Sequence, residues 1–212
     1  MRLLAKLTAL VLLAGAGCGV LEEDRTLDRP GAHEGTPPPD AGSAEAAIAD
    51  DLVDRLNDER VGRGLAPLSR DPHLDALARE WSGEMAAEQR FEHRDLEALH
   101  DRGDVDAYRH IGENLFRALD GRASAGEAHL EWMRSDGHRQ NLLEQNYNRV
   151  GVGVVCTDDG DLWVTQKFGL TTDVDGEHLG LGAPSGEPAP SEQPIARPEA
   201  DGPSCHDDRA AD

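Results

Sequence analysis

The chain has 212 residues and a formal net charge of −21, with 42 acidic residues against 21 lysines and arginines. Phosphate binding needs a cationic face that releases counterions, so this charge balance argues against a nucleic-acid partner. Every tryptophan, tyrosine and phenylalanine falls between Trp81 and Phe168, whereas most prolines lie outside residues 46–171. The middle of the chain can therefore bury a core, and the flanks cannot.

The N-terminus has the pattern of an export signal. Two basic residues precede an apolar run at 7–14, and small residues then lead to Cys18. The run is too short to span a membrane as a helix. A cysteine directly after small residues resembles a bacterial lipobox, although Gly15 stands where lipoboxes favour leucine. We predict a lipoprotein-type signal peptide at 1–18, with Cys18 lipidated so that the exported protein is attached to the membrane.

Two flanking segments share an acidic, proline-containing composition. Residues 19–45 contain three consecutive prolines and predict a disordered spacer, and residues 172–212 predict a disordered acidic tail. Apart from Cys18, the chain has Cys156 and Cys205. They could form one disulfide in an oxidising compartment, or remain a strand thiol and an unrelated tail cysteine. The sequence leaves both alternatives open.

Hydrophobic periodicity predicts the elements of the domain at 46–171. Four apolar positions starting at Ile48 have helical spacing, and Asp71 followed by Pro72 can begin a second helix with a stripe from Leu74 to Met85. The later predicted elements are a strand at Tyr108–Asn114, a helix around Ala125, Ala128 and Trp132, a short helix at 141–144, and strands at 150–156 and 162–168.

The last two strands alternate apolar and small residues on either side of Asp158-Asp159-Gly160, which is typical of a β-hairpin. Helices that precede a terminal hairpin indicate an α+β layered domain rather than a parallel doubly wound sheet. Gly151 and Gly153 leave one face of the first hairpin strand nearly bare, so another layer could approach it closely.

Three polar residues could carry chemistry because each lies beside apolar neighbours: His93, Glu113 and His138. A half-buried carboxylate and two imidazoles need hydrogen-bonding partners, and they could serve one another. Spacing alone does not bring them together, since no local zinc motif is present. The pattern alone favours the simpler interpretation, in which each is a half-buried residue with local partners.

An ordered set of motifs resembles the CAP superfamily, which comprises cysteine-rich secretory, antigen five and pathogenesis-related proteins, in its secreted prokaryotic branch. The matching elements are Leu56-Asn57 with Glu59-Arg60, Leu65-x-Pro67-Leu68, Leu74 with Ala78, Phe91-x-His93, Gly112-Glu113-Asn114, Trp132, Ser135-x-Gly137-His138-Arg139, Asn141-Leu142-Leu143, Val150-Gly151-Val152-Gly153 and Trp163-x-x-Gln166-x-Phe168-Gly169. Each motif is weak by itself, but the ordered set is specific.

The resemblance implies a three-layer α-β-α sandwich in which helices cover a small antiparallel sheet. It also implies a cleft where His93, Glu113 and His138 converge, with Asn114, Ser135, Arg139 and Asn141 in cleft or structural roles. In the eukaryotic branch two histidines and two glutamates line this cleft, and the histidines can hold zinc or another divalent cation.

The sequence departs from that pattern because Ser135 stands where the second glutamate is expected. Glu131 should not be assumed to replace it, since each helical residue turns the side-chain direction by about 100°. A catalytic zinc takes three protein ligands and needs a base. If Glu113 is the base, only His93 and His138 remain as ligands; if Glu113 ligates, no base remains.

The sequence therefore predicts an exported or cell-surface CAP-domain protein with a cleft for a small or extended ligand, such as a lipid, a peptide or a cell-wall component. A divalent ion at His93 and His138 would be part of that site. One alternative is a metal-dependent hydrolase with Glu113 as the catalytic base. Another is a non-enzymatic adhesion or scaffold module.

Overall fold

The computed structural model describes residues 39–40, 43–119, 123–171, 197 and 199–207. The predicted signal peptide with Cys18, most of the spacer and residues 172–196 lie outside the described residues. The elements in chain order are α1 (Ala44–Gly62), β1 (Ser69–Arg70), α2 (Pro72–Glu88), α3 (Leu96–Asp101), β2 (Tyr108–Ala118), α4 (Ala125–Arg134), α5 (Asp136–Leu143), β3 (Arg149–Cys156) and β4 (Leu162–Thr171).

The two long helices begin at capping side chains. Ser43 accepts a hydrogen bond from the amide of Ala46 at the start of α1, and Asp71 accepts one from the amide of His73 at the start of α2. Each cap satisfies a first-turn N–H that has no partner within its helix. The predicted stripe of α2 is buried from Leu74 to Met85. Helix α1 starts inside the segment that the sequence predicts as spacer.

The sheet has the strand order β1-β3-β4-β2. Strands β3 and β4 form the predicted antiparallel hairpin, and β2 pairs antiparallel with β4. Strand β1 adds a parallel pair with β3 that involves only Ser69 and Arg70. A two-residue strand has no periodic signal, so the sequence does not reveal it.

Helical layers cover both faces of the sheet, as expected for an α-β-α sandwich. Helices α1, α4 and α5 contribute to one core cluster with β3 and β4, while α2 packs on the other face. On that second face a Cβ at Gly153 would collide with the backbone of Arg79 in α2. The bare face predicted for β3 is therefore the surface on which α2 lies.

Two boundaries differ from the sequence prediction. Helix α5 begins at Asp136 rather than at residue 141, which places His138 and Arg139 on a helix instead of in a loop. Its first turn is polar and so lacks an apolar period. Strand β2 continues to Ala118, beyond the predicted end at Asn114. Helix α3 was not predicted.

The prediction of a disordered tail is wrong for residues 199–207. Cys205 forms a disulfide with Cys156, the last residue of β3, with a Cα–Cα distance of 5.5 Å. The same segment covers the beginning of α4: the amide of Gly126 donates to the carbonyl oxygen of Asp201 at 2.9 Å. Composition alone could not show that tail carbonyls satisfy the first-turn N–H groups of a helix.

Arg55 of α1 holds the tail segment from the other side. Its guanidinium donates to the carbonyl oxygens of Glu199 and Asp201 and pairs with the carboxylate of Asp51. The Arg55 side chain is buried, so these contacts replace the water that it loses. Among the helices that the structure describes, none has the length and apolarity needed to cross a membrane.

Candidate functional site

Glu113 lies on β2 and forms an ion pair across the sheet. Its register partner on β4 is Lys167, and the distance from Lys167 Nζ to Glu113 Oε2 is 2.7 Å. The Lys167 side chain has 0% exposure and that of Glu113 has 8%. Each charge is removed from water and is compensated by the other.

The second carboxylate oxygen of Glu113 is also occupied. Oε1 lies 2.8 Å from Nδ1 of His93 and accepts a hydrogen bond from the amide of Arg94 at 3.1 Å. His93 lies between α2 and α3, and its side chain is 63% exposed. The predicted meeting of His93 and Glu113 is therefore present, with neither carboxylate oxygen left unbound.

The pKa values follow from this arrangement. Burial opposes ionisation of Glu113, but the hydrogen bond from His93 and the charge of Lys167 outweigh it, so the pKa of Glu113 lies below its ordinary value. The same hydrogen bond raises the pKa of His93 above 6.5. Burial lowers the pKa of Lys167, and Glu113 opposes that change. A general base would need a carboxylate with a pKa nearer neutrality and a free oxygen.

Two asparagines connect α5 to β2. Asn141 Nδ2 donates to the carbonyl oxygen of Glu113 at 3.1 Å and to Asn114 Oδ1 at 2.9 Å. Asn114 Nδ2 donates to the carbonyl oxygen of His138 at 3.2 Å. The Glu113 carboxylate takes no part in this link, because its oxygens face His93, Arg94 and Lys167. Asn141 therefore cross-links α5 to β2.

The remaining predicted cleft residues divide into a structural one and a lining one. Arg139 is buried and donates to the carbonyl oxygen of Met133 at 2.9 Å and to Asp136 Oδ1 at 2.6 Å, which joins α4 to α5. Ser135 lies between these helices and lines the cleft described below.

His138 is half-buried on α5. Burial and the nearby charge of His93 lower its pKa, and Glu131 opposes this change. The two imidazoles are thus close enough to interact electrostatically. Within the described ranges, no group of three His, Cys, Asp or Glu side chains is arranged to hold a metal ion. With both oxygens of Glu113 occupied, the residues do not fit a three-ligand zinc site. A divalent ion at the two imidazoles stays a prediction.

A cleft of about 680 Å³ lies along the outer edge of β2. The side facing α2 carries Phe91, and Leu119 lies beyond the strand end; they are 43% and 54% exposed. The lining residues are Phe91, Leu115, Phe116, Arg117, Ala118, Leu119, Glu127, Glu131, Trp132, Ser135 and His138. This volume falls within the range of small-molecule sites.

Sequence reasoning missed two residues of this region. Lys167 has one available signal, because it is the only lysine of the domain and lies on a strand with apolar alternation. Arg117 has no signal in the sequence. Its guanidinium carbon lies 5.1 Å from the ring centroids of both Phe91 and Trp163, and the pairing of β2 with β4 creates this arrangement. Stacking of this kind orients a guanidinium without using its N–H donors.

A small sheet with helices on both faces is the architecture of an α-β-α sandwich of the CAP type. The model of the CAP family, described as the cysteine-rich secretory protein family, matches residues 53–168. The chain belongs to this family.

Two curated relatives come from Bacillus subtilis strain 168. The uncharacterized protein YkwD is 32% identical over 135 residues, covering 61% of this chain and 50% of YkwD. The uncharacterized membrane protein YlbC is 35% identical over 109 residues, covering 49% of this chain and 30% of YlbC. The chain thus spans half or less of the length of these relatives.

Two solved structures share the fold. An outer surface protein from Borrelia burgdorferi has a TM-score of 0.52 and 16% identity, and the match covers 57% of this chain and 91% of that one. An extracellular protein containing an SCP domain from Bacillus anthracis has a TM-score of 0.51 and 24% identity, with 60% and 41% covered. These similarities concern the fold alone.

Proposed function

We propose that this chain is an exported CAP-domain protein that binds a small or extended ligand in the cleft beside β2 without hydrolysing it. The main support is the saturation of Glu113: one carboxylate oxygen is paired with Lys167 and the other with His93 and Arg94. A carboxylate held in this way is a poor general base and a poor metal ligand. The hydrolase alternative needs this same residue as its catalytic base.

The character of the cleft supports binding. Phe91 and Leu119 expose apolar surface at its rim, and Trp132 lines it from α4. Exposed apolar side chains beside a concave surface are typical of ligand-binding sites. Val61, on α1, is another exposed apolar residue at 59% and does not line the cleft. It therefore provides a matched control.

Binding can be measured with three unmodified probes: palmitate, a mixed-sequence hexapeptide pool and soluble muropeptides. We expect at least one probe to quench tryptophan fluorescence in the wild type and in Val61→Ser, and to bind Leu119→Ser at least tenfold more weakly. Mass spectrometry should find that probe intact after incubation. Cleavage that disappears in Glu113→Gln would instead establish the hydrolase.

The metal part of the proposal has its own experiment. Calorimetric titration with Zn²⁺ is compared between the wild type and the His93→Ala, His138→Ala double variant. If the imidazoles hold an ion, the wild type gives a saturable heat and the variant gives none. Equal heats in both proteins would remove the metal and leave the binding function standing.

Export is proposed from the signal pattern and the disulfide. A Cys156–Cys205 bond is characteristic of proteins that fold in an oxidising compartment. In a host that processes lipoproteins, we expect the wild type in the membrane fraction with a lipid mass on Cys18, and Cys18→Ser without that mass. An unlipidated wild type would leave export without membrane attachment.

A further inference from the structure

Two side-chain hydrogen bonds show which residues of β2 direct their backbone N–H and C=O groups to the outer edge of the sheet. In an antiparallel strand, the N–H and C=O of one residue point to one edge, and those of the next residue point to the other. The carbonyl oxygen of Glu113 accepts from Asn141, and that of Leu115 accepts from Trp132 Nε1 at 2.8 Å. Neither donor belongs to β4. The backbone groups of these two residues therefore point away from β4.

Arg117 is the next residue in this alternation. The register between β2 and β4 is unbroken from His110 to Ala118, so the N–H and C=O of Arg117 also point to the outer edge. Neither group has a hydrogen-bond partner within the part of the chain that the structure describes. On this edge the carbonyl oxygen of Leu115 already accepts a hydrogen bond, whereas the N–H and C=O of Arg117 have no partner among the described residues.

The cleft follows this open stretch, since every residue from Leu115 to Leu119 lines it. An unpaired strand edge beside a cavity can accept an additional strand, in which main-chain hydrogen bonds provide affinity and alternate side chains provide specificity. We propose that an extended peptide binds in the cleft as a fifth strand along β2, paired through the N–H and C=O of Arg117. This inference rests on the proposed binding function and names its ligand class.

The unpaired backbone groups favour a peptide over a lipid. A hydrocarbon chain could cover Phe91 and Leu119 but would leave the Arg117 N–H and C=O without partners under the ligand. Burying such groups unpaired is costly. A peptide backbone supplies both an acceptor and a donor at strand spacing.

The two sides of the edge differ in chemistry, which predicts a side-chain pattern. Arg117 lies with Phe91 and Trp163 on the α2 side, where the accessible surface is aromatic. On the other side, Glu127 and Glu131 are one helical turn apart on α4, line the cleft and are exposed. Neither forms an ion pair with a described basic residue. Because side chains of an added strand alternate between the two sides, apolar residues alternating with basic ones would fit.

The probe is a fluorescein-labelled hexapeptide of alternating valine and lysine, and the readout is fluorescence anisotropy. Arg117→Pro removes the outward N–H, a position at which an edge strand tolerates proline. Arg117→Ala keeps that N–H and serves as the matched control. We expect binding at least tenfold weaker in Arg117→Pro and within about threefold of wild type in Arg117→Ala. Equal binding by both variants would overturn the proposal.

Two N-methylated peptides test the same contact without changing the protein. Methylation of alternate amides blocks one edge of the peptide, so one isomer carries its methyl groups toward β2 and the other away from it. We expect one isomer to lose at least tenfold in affinity while the other keeps it. Equal loss, or no loss, in both isomers would overturn strand addition even if Arg117→Pro fails to fold.

The failure of this inference can be told apart from failure of the proposed function. Binding of palmitate or muropeptides without binding of the valine-lysine peptide would overturn the peptide ligand and leave a binding cleft. If none of the probes binds, both proposals fall. The double variant Glu127→Gln, Glu131→Gln should bind the valine-lysine peptide more weakly than the wild type does, and should bind a valine-serine peptide of equal length with unchanged affinity.

Discussion

The outer edge of β2 is closed at one end and open at the other. At the closed end, Glu113 and Leu115 have their carbonyl oxygens bound by Asn141 and Trp132, and the Glu113 carboxylate is fully paired. At the open end, Arg117 and Leu119 border a cleft, and the Arg117 backbone has no described partner. The carbonyl oxygens of Glu113 and Leu115 thus hold the sheet to its helices, whereas the outward carbonyl oxygen two residues further along the strand, at Arg117, has no partner among the described residues.

The largest effect is expected at the closed end, in Lys167→Met. Removing one partner of a buried ion pair leaves an uncompensated charge, and should lower the free energy of unfolding by about 4 kcal/mol. Urea denaturation provides the measurement, with Arg90→Met as the control because that cation is exposed. Adding Glu113→Met to Lys167→Met should recover most of the loss. A cost below about 1 kcal/mol for Lys167→Met would mean that the pair is not buried.

A slightly smaller loss is expected from removal of the disulfide that holds the tail on α4. The double variant Cys156→Ser, Cys205→Ser should lower the free energy of unfolding by about 3 kcal/mol. Amide exchange should become faster at Ala125 and Gly126, whose N–H groups donate to the tail, and remain unchanged at the closed end. A thiol reductant should reproduce these changes in the wild type and have no effect on the variant. Unchanged exchange at Gly126 would show that the tail does not hold α4.

His93 should report the state of the closed end through its pKa. The hydrogen bond to Glu113 raises that pKa, so its contribution to stability is complete below the ordinary value of 6.5 and is lost as the pH rises through the folded-state value. An NMR titration of the imidazole should give a pKa above 6.5 in the wild type and a lower one in Glu113→Gln. The same pKa in both proteins would contradict the pairing.

The smallest effect on stability is expected at the open end. Arg117→Pro removes an N–H that has no described partner, and its free energy of unfolding should differ by less than about 0.5 kcal/mol from that of Arg117→Ala, which loses the same ring contacts. Ala118→Pro removes an N–H directed toward β4 and should cost about 2 kcal/mol or more. Thermal denaturation of the two variants gives the contrast. Equal costs would mean that the Arg117 N–H is already bonded in the free protein.

The fold was largely predictable because its main elements carry periodic signals of useful length. The stripe from Leu74 to Met85 and the alternation in the terminal hairpin each predict an element, and the ordered motifs predict the family and the proximity of His93 to Glu113. Helix α5 was misplaced because its first turn, from Asp136, is polar. The tail segment was misassigned because its contacts are backbone carbonyls and one disulfide, neither of which appears in composition.

The site was less predictable than the fold, for reasons of register. Glu113 and Lys167 are 54 residues apart in sequence, and they pair only because the register between β2 and β4 places them opposite each other. A shift of β2 by one residue would turn the Glu113 side chain to the face of the sheet opposite Lys167. The open backbone of Arg117 depends on the same register, and also on which edge carbonyls Asn141 and Trp132 occupy. Side-chain types alone do not encode either feature.

Amide hydrogen exchange at Arg117, measured by NMR with and without the valine-lysine hexapeptide, tests strand addition at the open end most directly. We expect fast exchange in the free protein and at least tenfold slower exchange when the peptide is saturating, with the amides of the closed end unaffected. An Arg117 amide that is already protected in the free protein, or that exchanges equally fast in the complex, would contradict it.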